Sequence, residues 1–150
     1  MSVKIFELLH KEHEDVKQML KQMLESEDQN KREKVLETFH KNILAHMKAE
    51  ENAFYPNLIE EPETKKLALQ AYEEHHVVEM LLRELVKLKV TDDKWTAKLQ
   101  VLSEVLLHHI EEEEDEVFKK TDELFQDDEL DYMYNDFVSK KGEWMNRRAA

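Results

Sequence analysis

A chain of 150 residues suits one domain rather than two, and its single glycine, two prolines and absent cysteine exclude disulfide scaffolds, thiolate metal sites and turn-rich β architectures. With 22 basic against 35 acidic residues the net charge is −13, which disfavours nucleic acid and anionic membrane surfaces as partners. No leader-type apolar run follows the first methionine, and no stretch approaches the roughly 20 apolar residues of a membrane span, so a soluble, cytoplasmic protein is expected.

Apolar residues recur at spacings of three and four along the chain, which is helical spacing. The first helix is predicted over residues 2–27, closed by the polar run at 26–30. A second covers 31–60, with Pro56 expected to bend or fray its end. The third begins at Pro62, a suitable first-turn residue, and runs to about 89. Thr91, Asp92 and Asp93 cap a fourth that reaches about 125. Asp127 and Asp128 precede a shorter helix bearing Leu130, Met133 and Phe137, with Gly142 expected to stop it before a basic tail at Arg147 and Arg148. Long amphipathic helices with short connections predict an all-α, up-down-up-down four-helix bundle. It would be a single domain with a core over about 2–125 and a short C-terminal helix and tail over 127–150.

The chain repeats itself. Glu12-His13 aligns with Glu74-His75 at an offset of 62 residues, and 46–51 aligns with 109–114 at an offset of 63. The second match sets Phe54-Tyr55 on Val117-Phe118. Helices one and two form one half, helices three and four the other.

Tracing the inward stripe of each helix singles out four of the eight histidines. Helix one gives Phe6, Leu9, His13, Val16 and Leu20; helix two gives Phe39, Ile43, His46, Glu50 and Ala53. Helix three gives Ala68, Ala71, His75, Val78 and Leu82; helix four gives Leu102, Leu106, His109, Glu113 and Val117. Burying four imidazoles and two carboxylates costs several kcal/mol for each unpaired ion. A metal ion offsets that cost, because it keeps the carboxylates ionised and the imidazoles neutral. The i, i+4 spacing of His46 with Glu50 and of His109 with Glu113 places each pair on one face, about 6 Å apart along the axis. Imidazole and carboxylate without thiolate suit iron or manganese, with zinc or copper as substitutes. The number of ligands and the symmetric halves suggest two ions bridged by Glu50 and Glu113.

Over about residues 5–125 this pattern resembles the hemerythrin-like, or HHE cation-binding, domain family. The resemblance rests on His13, His46-x-x-x-Glu50, His75 and His109-x-x-x-Glu113 in that order, and on the Glu50-Glu51-x-x-Phe54-Tyr55-Pro56 end of helix two. It implies a bridged pair of non-haem iron ions, His13 and His46 holding one and His75 and His109 the other, with Glu50 and Glu113 between. It also implies a small ligand: dioxygen, peroxide or nitric oxide. Oxygen-carrying members have a histidine where this chain has Glu79 and an aspartate where it has Glu113. That departure favours ligands such as peroxide over a pure carrier role. The expected function is therefore binding of dioxygen or a related ligand, for carriage, sensing or iron handling. The alternative is a peroxide or nitric-oxide reductase fed by an external electron donor.

A core histidine alone is usually a packing residue, and glutamate is common enough here for His-x-x-x-Glu to arise by chance. Only the pairs at 46/50 and 109/113 satisfy both stripe and repeat. Ferritin-like bundles use Glu-x-x-His, a spacing found at 7/10, 37/40 and 73/76 but missing from helix four. A metal-free helical interaction module remains the plain alternative. His10, His40, His76 and His108 fall off the stripes. His10 and Glu79 are the best candidates for a further ligand or an outer partner of one. The acidic run 111–116 reads as a solvated face apart from Glu113, and Met19, Met23, Met47, Met80, Trp95 and Trp144 read as packing residues.

Overall fold

The computed structural model describes residues 3–147, and every regular element among them is helical. Helix α1 spans Lys4–Glu25 and α2 spans Gln29–Ala49. A π-helical segment, Glu50–Phe54, joins α2 to α3 at Tyr55–Ile59. Then come α4 at Pro62–Leu85 and α5 at Asp93–Glu112. A second π segment, Glu113–Val117, leads into α6 at Phe118–Leu124, and α7 occupies Asp127–Arg147. The expected start at Ser2 and the Arg148 end of the tail lie outside the described residues. No helix among them is long and apolar enough to cross a membrane.

Local chemistry accounts for the ends. Asp28 accepts the backbone N–H groups of Asn30 and Lys31, and Asp92 accepts that of Lys94, so each turn between paired helices ends in a capped start. Pro62 sits in the first turn of α4, where its missing N–H costs nothing. Pro56 stands at the start of α3, just beyond a π segment. It is not the cause of that segment, because the second one forms at the same place in the repeat with no proline.

The core is two apolar clusters with a polar layer between them. Val16, Leu20, Phe39, Ile43, Val78, Leu82, Trp95, Leu102 and Leu106 build one. Ile5, Leu9, Ala49, Phe54, Tyr55, Leu58, Ala68, Ala71, Val117 and Phe137 build the other. Each core histidine is placed in sequence between the two, as His13 lies between Leu9 and Val16 and His75 between Ala71 and Val78. Two expectations need correction. Ile5 rather than Phe6 is the innermost residue at the start of α1, and Phe6 packs at the margin, 5.2 Å from the Phe118 ring. Met80 is exposed, not core.

The C-terminal helix is the larger correction. It is 21 residues long and runs through Gly142 to Arg147. A glycine stops a helix when the chain needs a left-handed turn there, and none of the described residues has positive φ. Beyond it the Arg147 guanidinium lies 4.5 Å from the Trp144 ring. Leu130, Met133 and Phe137 bury the inner face of α7, which packs along α1 and α2. The bundle is thus covered on one half only.

Candidate metal centre

Six charged or ionisable side chains occupy the polar layer, all at most 3% exposed: His13, His46, Glu50, His75, His109 and Glu113. They are the six that stripe and repeat select. Their inward atoms form two groups of metal-capable donors. One joins His13, His46, Glu50 and Glu113; the other joins Glu50, His75 and His109. His13 Nε2 lies 3.1 Å from Glu113 Oε1, and His46 Nε2 lies 3.2 Å from Glu50 Oε1. His75 Nε2 is 3.2 Å from Glu50 Oε1, and His109 Nε2 is 3.4 Å from Glu113 Oε2. Glu50 therefore reaches both groups from α2.

Each imidazole is held from behind by a glutamate on another helix. His13 Nδ1 donates to Glu114 at 2.6 Å, His46 Nδ1 to Glu12 at 2.7 Å, His75 Nδ1 to Glu51 at 2.8 Å and His109 Nδ1 to Glu74 at 2.7 Å. With the Nδ1 proton committed outward, each Nε2 faces inward and, in the neutral ring, turns its lone pair there. Burial would raise these four carboxyls, but the facing imidazole holds each below its ordinary value. Burial would likewise lower His46 and His109. The Glu50 and Glu12 carboxylates outweigh it for His46, and Glu113 and Glu74 do so for His109, raising both imidazoles to about 10.

None of the four outer glutamates was singled out by stripe reasoning, although all four took part in the repeat alignment. Glu12 and Glu74 each precede a core histidine, and Glu51 and Glu114 each follow a core glutamate. Side by side in sequence, they point a quarter-turn away and meet a histidine on the neighbouring helix. The acidic run 111–116 is accordingly not all solvated face. Glu114 is partly buried, and it takes a second hydrogen bond from His10 Nδ1 at 3.0 Å. His10 so acts as an outer partner, behind Glu114. Glu79 also sits outside the two donor groups. It pairs with Lys48 at 2.6 Å, and Lys48 in turn meets Glu51, the carboxylate behind His75.

Tyr55 is the inward residue that sequence reasoning passed over. A 3–4 stripe through His46 and Glu50 skips it. In the π segment the Tyr55 N–H bonds Glu50 O, five residues back, and the extra residue per turn rotates Tyr55 over Glu50. Its hydroxyl donates to Glu113 Oε2 at 2.5 Å and lies 3.2 Å from Glu50 Oε1, 3.2 Å from His75 Nε2 and 3.4 Å from His109 Nε2. Burial, with the Glu113 and Glu50 carboxylates beside it, pushes the phenol well above its ordinary value.

A cation fits this donor set. Six buried side-chain polar atoms among the described residues lack a hydrogen-bond partner, and four of them, His13 Nε2, His46 Nε2, Glu50 Oε2 and Glu113 Oε1, belong to this centre. His75 Nε2 and His109 Nε2 face one another at 3.2 Å, lone pair toward lone pair when both are neutral. One positive charge placed among them removes the repulsion and satisfies the orphaned atoms together.

Fold and centre define an all-α bundle with a buried histidine–glutamate site suited to a metal cation. The chain belongs to the hemerythrin HHE cation binding domain family, whose pattern matches residues 4–121. No curated protein and no solved structure matches it.

Proposed function

We propose that this chain is a non-haem two-metal protein, with iron as its metal, that binds dioxygen, nitric oxide or peroxide. His13 and His46 would hold one ion and His75 and His109 the other, with Glu50 and Glu113 shared between them. Zinc or manganese are substitutes that the same donors accept. The observation that supports this reading is the convergence of His13, His46, Glu50 and Glu113 atoms without a hydrogen bond between two apolar clusters. When bound, the ions would supply redox-active Lewis-acid chemistry to a small ligand. The protein's part is placement and shielding. The four outer glutamates orient the imidazoles, while Ile43, Val78, Leu82 and Leu106, each at most 2% exposed, keep bulk water away. A cavity of about 80 Å³ between α1, α2 and α7 lies against His46 on the side of the Glu12–Lys141 pair, bordered also by Val16, Met19 and Asn42, and so opens behind the ring rather than among the inward donors.

Metal analysis after anaerobic iron loading tests the assignment. The intact chain should hold about two ions, and His46→Ala or Glu50→Ala should each lower that number. If both variants keep the full content, these residues are not the ligands. Reversible spectral change with dioxygen supports binding. Continued oxidation of an added electron donor by peroxide would point instead to a reductase.

A further inference from the structure

We propose that Tyr55 is itself a ligand, its phenol oxygen completing the coordination of the ion held by His75 and His109; the proposal rests on the two-metal reading above. Neighbouring ligand atoms around an octahedral cation with bonds of about 2.1 Å are about 3 Å apart. On this side of the centre, His75 Nε2 is 3.2 Å from His109 Nε2 and 3.2 Å from Glu50 Oε1, and His109 Nε2 is 3.4 Å from Glu113 Oε2. The Tyr55 oxygen stands at 2.5, 3.2, 3.2 and 3.4 Å from these same four atoms. It is a fifth member of the set, not a neighbour behind it. The outer partners occupy a different place, on the far Nδ1 side of each ring.

Hydrogen bonding alone does not explain the position. A phenol has one proton, and donating it to Glu113 leaves the Glu50 carboxylate oxygen facing the phenol oxygen at 3.2 Å with no hydrogen between them, even where the oxygen accepts from an imidazole N–H. A shared cation accounts for all of these approaches. The ring is also held in place. It is fully buried, and it packs against Phe54, Tyr72 and His75 at centroid separations of 5.8, 5.4 and 5.2 Å. The other half has no such donor. One repeat later the position is Phe118, whose ring stacks parallel to His13 at 6.1 Å and offers no oxygen. Glu79 is committed to Lys48, so Tyr55 is the added oxygen donor within reach of His75 and His109 among the described residues. Ligation exchanges the O–H bond for a coordinate bond and releases one proton to solvent, with no change in oxidation state.

The test is the colour of the ferric-loaded protein. Ferric iron alone is the probe, and iron content is measured on the same sample. The intact chain should show a phenolate-to-iron charge-transfer band in the visible, and excitation into that band should enhance tyrosine ring vibrations. Tyr55→Phe should keep its iron content and lose essentially all of the band. An intact chain that holds two ferric ions without such a band overturns this assignment and leaves the two-metal reading standing, as does a band that survives in Tyr55→Phe. An intact chain that takes up no iron overturns both. The vibrational measurement on the intact chain does not depend on the variant folding.

Discussion

Phenyl rings of Phe118 and Phe137 flank His13 and His46 respectively, whereas the Tyr55 phenol oxygen faces both His75 and His109. Both halves of the centre offer two imidazoles, two outer glutamates and a share of Glu50 and Glu113, as the repeat requires. Their envelopes differ. Over the first half, α7 sets the Phe137 ring 5.9 Å from His46 and the Lys141 ammonium 2.5 Å from Glu12. Over the second, Tyr55 enters the donor set, and Glu74 is backed by Gln70 and the exposed His108. A duplicated pattern of metal-capable donors has thus been placed in a single, lopsided shell. Two chemically similar positions become unequal through what surrounds them.

Stripping the metal is expected to have the largest effect, and it acts on both halves. Structural ions contribute on the order of 10 kcal/mol in small domains, so the chelated protein should melt far below the loaded one. In the metal-free protein, His46 in one half and His109 in the other titrate near 10, above the ordinary 6.5. A raised folded-state value stabilises below the unfolded value and is lost as pH rises through the folded one. Thermal melts of the chelated protein should therefore lose stability between about pH 6.5 and 10, while metal binding tightens over the same window as protons are displaced. Rising apo stability in that range would show that the imidazoles are not paired with carboxylates as described.

Phe137→Ala should separate the halves. Removing a fully buried ring costs about 3–5 kcal/mol, which urea unfolding will measure. The opened space lies beside His46, so chelator should extract one ion faster than the other. Equal release of both would mean that α7 shields the centre as a whole.

The repeat-related pair Glu12→Gln and Glu74→Gln gives the smallest and sharpest comparison. Each removes the carboxylate behind one imidazole and should weaken one ion about 10–100-fold in a competition titration. The Glu12 variant should lose more, because it also abandons the charge of Lys141. Equal losses would remove Lys141 from the account.

Much of this was legible before the fold was known, and particular residues show why. Helical periodicity is a property of neighbouring residues on one strand of chain. His13, His46, His75 and His109 could therefore be assigned inward from their spacing to Leu9, Ile43, Val78 and Leu106, and the caps at Asp28 and Asp92 follow the same local logic. The order of the candidate ligands and the two-fold repeat are likewise written along the chain.

Other features exist only between helices. Glu12 is a surface-type residue until α2 brings His46 to it, and Glu114 until α1 brings His13. Tyr55 belongs to the wrong face of an α-helix and reaches the centre because a π turn shifts the register after Glu50. Glycine at 142 reads as a stop locally, yet the buried face of α7 carries the helix past it. Patterning selects which side chains enter the core, because burial is decided helix by helix. Which donors meet, and how each half is sealed, depends on contacts across 20 to 129 residues of chain, and no local pattern records those.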